Sequence, residues 1–191
     1  MNNISNNDSR PPGSYSDGNL GEVLLSKEAI RTAVEALGKR ISDDYAGSRC
    51  LTLICVLKGA VVFFSDLIRE ITVPVTIEFI TAKSYGNSSV SAGEVQIVKD
   101  IDTDIKGRDV ILIEDISDTA RTLTSLISKL KKREPNSIKT AVLLDKPSRR
   151  EVSFVPDYTC FQVGNEFIVG YGLDFAEKYR NLPDIATLIA Y

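Results

Sequence analysis

Three carboxylates lie within five residues of the stretch VILIEDISDTARTLTSL, which covers positions 110–126. An apolar run leads into Glu114 and Asp115, Asp118 follows in a short polar loop, and leucines at helical spacing begin with Leu123. Acids near the start of a helix commonly act as caps or dipole partners, which would account for any one of the three. That explanation fits the adjacent pair poorly, because two like charges after a buried strand repel unless a cation or hydroxyl donors intervene. The pattern therefore favours a functional role for these acids.

The polar loop after the acids is suited to binding a phosphate monoester. A turn from strand to helix presents several backbone N–H groups and a helix N-terminus to one place. Thr119 and Thr122 add hydroxyl donors, and Arg121 adds positive charge. Neither the Walker spacing nor the GxGxxG fingerprint is present. The adjacent acids are placed to accept hydrogen bonds from sugar hydroxyls or to hold a hydrated Mg²⁺, and the third acid could take a proton from a ligand.

Composition narrows the possible chemistry, because the 191 residues include no histidine and carry a net charge of −3. Without histidine there can be no His-based triad or His zinc ligand, so proton transfer must use Asp, Glu, Lys, Tyr or Cys. The negative charge argues against a protein that binds nucleic acid or anionic membranes through bulk charge. Cys50, Cys55 and Cys160 form no CxxC pair, and no apolar run is long enough to span a bilayer. We therefore expect a cytoplasmic protein with reduced cysteines and no membrane partner.

Strands and helices alternate along the chain that must position these residues. Continuous apolar runs at Leu51–Leu57 and Val110–Ile113 are typical of strands covered on both faces, and helical spacing follows each run. Ser26 is a candidate N-cap for an earlier helix. This order predicts an α/β fold with a mostly parallel central sheet and helices on both faces. Further strands are predicted at 75–80, 94–99, 138–144, 158–163 and 167–171, and the helix after the central strand is expected to end at Glu134.

The domain organisation is expected to be simple. Residues 1–21 are rich in Asn, Ser, Gly and Pro, which predicts a flexible N-terminal tail. Residues 22–191 are then long enough for one domain with a full core. Within this domain the small polar residues at 81–94 predict a mobile loop.

Unusual polar clusters follow three of the predicted strands. These clusters are Lys58-Gly59, Glu114–Thr122 and Lys146. In open parallel sheets ligands bind beyond the carboxyl ends of the strands, at a topological switch point. We therefore expect the three clusters to meet at one edge of the sheet and to form an active site.

The stretch ILIEDISDTARTL at 111–123 resembles the phosphoribosyl-pyrophosphate-binding motif of type I phosphoribosyltransferases. Glu114-Asp115 together with Asp118-Thr119 is similar to the hypoxanthine-guanine branch of that family. The likeness extends over roughly residues 22–188 and rests on several separate motifs.

The other motifs lie on both sides of this stretch. VLKGA at 56–60 resembles the pyrophosphate loop of the family, in which the Leu57–Lys58 peptide is expected to be cis. KSYGNSS at 83–89 is similar to a mobile loop that closes over the reacting centre. LLDKPSRR at 143–150 and EFIVGYGLDFAEKYRNLP at 166–183 resemble the purine-recognition segments.

The resemblance implies transfer of a 5-phosphoribosyl group from phosphoribosyl pyrophosphate to N9 of a 6-oxopurine, with inversion at the anomeric carbon. Hypoxanthine or guanine would give IMP or GMP plus pyrophosphate, with Mg²⁺ as cofactor. It also implies a small hood subdomain from about residues 22–35 and 150–191, and a homodimer or homotetramer that binds no nucleic acid.

By the same resemblance Asp118 is the general base near purine N7, Lys146 donates to the 6-oxo group and Phe167 stacks on the base. Without it, Phe167 would more often be a core residue, and Asp174 with Arg180 a surface ion pair. The residues assigned to phosphoribosyl pyrophosphate are Leu57, Lys58, Gly59, Ser84, Tyr85, Glu114, Asp115, Ser117, Asp118, Thr119, Ala120, Arg121, Thr122 and Arg180. Those assigned to the purine are Lys146, Phe167, Ile168 and Asp174, and those assigned to the metal are Glu114, Asp115 and Asp174.

Three residues depart from the family pattern. Ala120 and Ala60 stand where glycine is common, and a Cβ there costs about 1 kcal/mol or more if φ is positive, but little if φ is negative. Ser117 replaces a usual aliphatic residue, so that it either adds a hydroxyl near the ribose or is neutral.

Other functions on the same fold stay open at this point. A non-catalytic regulator that senses nucleotides or RNA would typically carry two aspartates before the loop and a basic face, whereas this chain has Glu114-Asp115 and a negative charge. A substrate-free homologue would lose the acids first. A preference for xanthine is barely addressed by sequence, because main-chain groups read the purine 2-position.

Overall fold

The computed structural model describes residues 18–84 and 95–189. Its strands are β1 (Leu20–Leu25), β2 (Leu51–Leu57), β3 (Val75–Ser84), β4 (Val95–Lys99), β5 (Asp109–Ser117), β6 (Ser137–Asp145), β7 (Tyr158–Gln162), β8 (Ile168–Val169) and β9 (Ile185–Leu188). The α-helices of the described residues are α1 (Lys27–Asp44), α2 (Val61–Glu70) and α3 (Arg121–Lys131). None of these helices is long and apolar enough to cross a membrane.

Six strands form the main sheet in the order β4-β3-β2-β5-β6-β7. All neighbours are parallel except β4, which runs antiparallel to β3. From β2 the chain moves outward to β3, and from β5 it moves outward in the opposite direction to β6 and β7. The switch point therefore lies between β2 and β5, and both strands end there in the polar clusters that the sequence predicted.

The helices cover both faces of this sheet, as predicted. Ser26 caps α1, since its side chain accepts a hydrogen bond from the backbone N–H of Ala29 at 3.3 Å. The apolar sides of α1 and α2 pack with Leu53 and other residues on one face of the sheet. Leu123 and Leu126 of α3 pack with Leu112 and its neighbours on the other face.

The two ends of the chain form a separate small sheet. Its strands are antiparallel and lie in the order β1-β9-β8. Because β1 begins at Leu20, the last two residues of the predicted tail belong to this sheet. β7 lies within the range predicted for the hood, but it pairs with β6 and so belongs to the main sheet.

Several predicted boundaries were wrong. The central strand was predicted at 110–113, but β5 continues to Ser117 because its pairing with β6 extends to Asp145. The acid pair therefore lies inside the strand. α3 ends at Lys131 rather than at Glu134, where φ is 56°. Of the predicted mobile loop, residues 81–84 belong to β3, and 85–94 lie outside the described residues.

Candidate active site

The loop predicted to bind phosphate, residues 117–122, is called the phosphate loop, and it borders a small cavity, the phosphate cavity, at the N-terminus of α3. This cavity has a volume of about 80 Å³. Arg121 does not line it and instead donates a hydrogen bond from Nε to Glu151. The predicted residues that line the cavity are Glu114, Ser117, Asp118, Thr119, Ala120 and Thr122.

Ala120, the residue before α3, is in the left-handed region with φ 64° and ψ 7°. Strain from a Cβ was expected only if φ is positive, so Ala120 is strained. Ala60 has φ −69° and is not strained. Replacement of Ala120 by Gly is expected to raise the free energy of unfolding by roughly 1 kcal/mol, and the Tm by about 2–4 °C. Thermal unfolding measures both changes.

Ala36→Gly is a matched control for this prediction. Ala36 is exposed within α1, where glycine destabilises a helix by about 1 kcal/mol. The same substitution should therefore move the Tm in opposite directions at the two positions. A lower Tm for Ala120→Gly would show that the conformation of Ala120 carries no strain.

The acids of β5 point to two different cavities. Successive side chains of a strand alternate between its faces, so Glu114 lines the phosphate cavity and Asp115 lines a larger one. Glu114 Oε2 has no hydrogen-bond partner among the residues that the structure describes. Burial, followed by the charge of Asp115, raises the pKa of Glu114 well above its usual range. Both carboxylates therefore fit a ligand that brings hydroxyl donors or a cation.

The pKa of Asp115 is raised as well, although one of its oxygens accepts a backbone hydrogen bond. Burial raises its pKa to about 6, although the backbone N–H of Ile116 and the charge of Arg180 oppose this rise. The hydrogen bond from Ile116 to Oδ1 is 2.9 Å long. A positively charged ligand would favour the ionised form of Asp115.

The loop after β2 contacts Asp115 directly. The Leu57–Lys58 peptide is cis, as the resemblance predicted. A Cβ built on Gly59 would lie 1.8 Å from Asp115 Oδ2. Gly59 therefore allows this backbone to approach the carboxylate more closely than any other residue would. Gly172 allows a second close approach, since its Cβ would lie 2.1 Å from the Gly59 carbonyl oxygen.

One ion pair links this loop to the segment after β8, and a second lies within that segment. Lys58 Nζ lies 2.9 Å from Glu177 Oε2, and Arg180 Nη2 lies 2.7 Å from Asp174 Oδ1. The backbone N–H of Glu177 also donates to Asp174. Asp174 and Arg180 thus form the ion pair that the sequence allowed. The described residues hold no group of three His, Cys, Asp or Glu side chains that could bind a metal, and the role of Asp174 as a metal ligand stays a prediction.

The larger cavity is lined by the residues assigned to the purine, and we call it the purine cavity. Its volume is about 290 Å³. Lys146 is buried, and burial lowers its pKa. Its Nζ donates to the Glu166 carbonyl oxygen at 2.7 Å. The lining includes Asp115, Asp118, Lys146, Phe167, Ile168 and Asp174.

Phe167 is not a core residue. Its side chain is 37% exposed at this cavity, and its ring meets Phe175 edge to face with 5.5 Å between centroids. An aromatic side chain exposed within a cavity is suited to stacking on a planar base. Ser84 ends β3, whereas its side chain and all of Tyr85 lie outside the described residues.

The part played by residues 149–151 was not predicted from the sequence. Arg150 Nη1 donates to the Ser117 carbonyl oxygen at 3.1 Å, to Ser117 Oγ at 2.7 Å and to the Asp118 carbonyl oxygen at 2.8 Å. Its Nη2 pairs with Asp145. The Ser117 hydroxyl thus accepts a hydrogen bond from Arg150. Two consecutive arginines after Lys146 were the available signal, but sequence alone does not show that they reach the phosphate loop.

A third cavity, of about 500 Å³, lies between α1, α2 and the segment around Pro183. Arg180 is the single predicted site residue among those that line it. The acids of β5 and the phosphate loop do not reach this cavity, so we do not assign the chemistry to it.

The fold and the site define an α/β enzyme that acts on a phosphorylated substrate at the switch point of a parallel sheet. The sequence pattern of the phosphoribosyl transferase domain matches residues 22–176. The chain therefore belongs to the phosphoribosyl transferase family.

Individual relatives agree with this assignment. The chain is 51% identical over 169 residues to a hypoxanthine-guanine phosphoribosyltransferase of Streptococcus thermophilus, a match that covers 88% of this chain and 93% of the relative. A solved hypoxanthine phosphoribosyltransferase from Staphylococcus aureus superposes with a TM-score of 0.88 at 42% identity, covering 93% of this chain and 96% of that one. A hypoxanthine-guanine phosphoribosyltransferase from Bacillus anthracis gives a TM-score of 0.83 at 45% identity, covering 89% and 99%.

Proposed function

We propose that the protein transfers the 5-phosphoribosyl group of phosphoribosyl pyrophosphate to N9 of hypoxanthine or guanine, in purine salvage. The products are IMP or GMP and pyrophosphate. The observation that carries this proposal is the cavity shared by Lys146, Phe167 and Asp118, next to the phosphate loop. The names of the related proteins support the same reaction.

In this reaction purine N9 attacks the anomeric carbon of the donor, and the bond between that carbon and the pyrophosphate oxygen breaks. Positive charge develops on the ribose and purine, and negative charge on the leaving group. Asp118 takes the proton that the purine loses at N7. Backbone N–H groups of the phosphate loop hold the 5′-phosphate, while Glu114 and Asp115 accept hydrogen bonds from the ribose hydroxyls.

Mg²⁺ is the cofactor that these residues fit. It commonly binds through one or two carboxylates together with substrate phosphates. Glu114 and Asp115 have raised pKa values, and Glu114 Oε2 lacks a partner in the described part of the chain. Bound by these carboxylates, Mg²⁺ would neutralise part of the negative charge on the pyrophosphate.

Selection of 6-oxopurines is assigned to Lys146. A lysine donates to a carbonyl oxygen and cannot accept from the amino group of adenine, so an adenine would leave a buried donor unpaired. Lys146→Met is expected to lower kcat/KM for hypoxanthine and guanine by about 10- to 100-fold, because one charged hydrogen bond is lost. Steady-state kinetics with varied purine measure this change.

Lys106→Met is a suitable control for the lysine prediction. Lys106 is exposed and pairs with Glu134, so its replacement should leave kcat/KM unchanged. Binding of phosphoribosyl pyrophosphate to Lys146→Met should also be unchanged. Equal turnover of hypoxanthine by Lys146→Met and the wild type would contradict the proposed role.

The experiment that tests the function is pyrophosphate release with Mg²⁺, phosphoribosyl pyrophosphate and each of hypoxanthine, guanine, xanthine and adenine. Turnover of hypoxanthine and guanine is the expected result. Faster turnover of xanthine than of hypoxanthine and guanine would mean that xanthine is the preferred substrate. A folded protein that binds the donor but turns over none of the bases would be a nucleotide sensor instead.

The proposal also includes a cytoplasmic location and a homodimer or homotetramer. Family resemblance supports the oligomer, and the three cysteines, all of which are free, support the location. Sedimentation equilibrium of the full chain would distinguish monomer, dimer and tetramer.

A further inference from the structure

Arg149 contacts the carboxylate that the proposed function uses as its base. The Arg149 Nε donates a hydrogen bond to Asp118 Oδ1 at 2.8 Å. Both side chains line the purine cavity and are partly exposed. Arg149 ends the short 3₁₀ helix Pro147–Arg149, which begins directly after Lys146.

The backbone that carries Arg149 is held in place from several sides. The N–H of Arg149 donates to the Lys146 carbonyl oxygen at 3.1 Å, and the N–H of Glu151 donates to the Thr119 carbonyl oxygen at 3.2 Å. Arg150 adds the hydrogen bonds to Ser117 and Asp118 already described. The segment is therefore fixed to the same loop that carries Asp118.

A general base works well only when its accepting oxygen faces the proton. A carboxylate on a loop can rotate about its side-chain bonds, and a hydrogen bond from a fixed donor to one oxygen restricts that rotation. The bond from Arg149 goes to Oδ1, which leaves Oδ2 to accept the purine proton.

We propose that Arg149 is a positioning residue for Asp118, and that it orients the carboxylate toward the purine held by Lys146. This inference rests on the proposed function. It links base recognition to proton transfer through one short segment, because Lys146 and Arg149 belong to the same turn.

The first test compares Arg149→Gln and Arg149→Lys with the wild type. We expect Arg149→Gln to lower kcat by about 10-fold or more, because small misplacements of a catalytic group have large effects on rate. The KM for phosphoribosyl pyrophosphate should stay unchanged, and Arg149→Lys should recover part of the loss. Stability should hardly change, since a partly exposed ion pair contributes little.

Arg133→Gln is the matched control. Arg133 forms a partly exposed ion pair with Asp100, away from both cavities. Its replacement should leave kcat within about twofold of the wild type. The same result for Arg149→Gln would overturn the proposal.

A double-mutant cycle separates positioning from a direct contact with substrate. If Arg149 acts through Asp118, Arg149→Gln should change kcat by less than about twofold when Asp118 is already Asn. A full, independent loss in the Asp118→Asn background would overturn the proposal.

A measurement without turnover distinguishes failure of this inference from failure of the proposed function. The Arg149 Nε–H resonance, assigned by its loss in Arg149→Gln, should shift in Asp118→Asn, while that of Arg133 should not. An unchanged Arg149 resonance would overturn the contact. Turnover of none of the purines by the wild type would instead reject the proposed function.

Discussion

Replacement of Asp118 by Asn is expected to lower kcat by about 10²-fold or more, the usual scale for loss of a general base. Asparagine keeps the size of the side chain but does not take up a proton. The phosphate loop is held by its backbone and by Arg150, so binding of phosphoribosyl pyrophosphate should remain largely intact. Calorimetric titration of the donor and steady-state turnover measure the two effects separately.

Asp43→Asn provides the comparison for this variant. Asp43 is exposed on α1 and pairs with Lys39, so the same chemical change there should leave turnover unaffected. Near-normal turnover by Asp118→Asn would remove Asp118 as the base. Because the chain contains no histidine, another carboxylate, lysine, tyrosine or cysteine would then have to take its place.

Gly59→Ala should have an effect of similar size for a steric reason. Its Cβ would lie 1.8 Å from Asp115 Oδ2 and 2.6 Å from Asp115 Cγ, so the carboxylate or the loop after β2 must move. Either movement increases the distance between this loop and Asp115, the acid proposed to bind the ribose hydroxyls. We expect kcat/KM for phosphoribosyl pyrophosphate to fall by about 10²-fold or more, because displacements of about 1 Å can have effects of this size. Kinetics with varied donor measure the change.

Gly47→Ala is the control for the added methyl group. No heavy atom lies within 4 Å of a Cβ built at Gly47, so its replacement should leave the kinetics unchanged. A wild-type kcat/KM for Gly59→Ala would mean that Asp115 can move aside without loss. The close contact would then have no bearing on donor binding.

The parts of the fold that could be predicted are those whose signal is local. The continuous apolar run of β2 was predicted with the bounds that the structure shows, Leu51–Leu57. The convergence of polar clusters at one sheet edge followed from strand order alone. The last residues of β5 were missed because Glu114 and Asp115 interrupt the apolar pattern while the pairing with β6 continues. β1 and β9 were missed because they pair across the two ends of the chain, which leaves no local signal.

In the site, too, the features that could be predicted are those with a local signal in the sequence. Residue types indicated a phosphate loop, an acid pair and a lysine, and the structure brings Asp118 and Lys146 to one cavity. The sign of φ at Ala120 could not be predicted from the sequence, because the turn that joins β5 to α3 determines it and an alanine does not reveal that conformation. The contacts of Arg149 and Arg150 also depend on how closely two loops approach each other in space.

The ion pairs of Lys58 and Arg180 have a consequence for release of the product. Glu177 Oε2 lies 2.9 Å from Lys58 Nζ and 3.6 Å from Arg180 Nη2, so one carboxylate oxygen is shared by both cations. In the role predicted for them these cations would bind pyrophosphate, which would compete with that oxygen for their N–H donors. When pyrophosphate departs, the carboxylate can return as a tethered counterion, so that the two cations are not left without a negative neighbour. Exchange between Glu177 and pyrophosphate at the two cations would thus favour release of pyrophosphate.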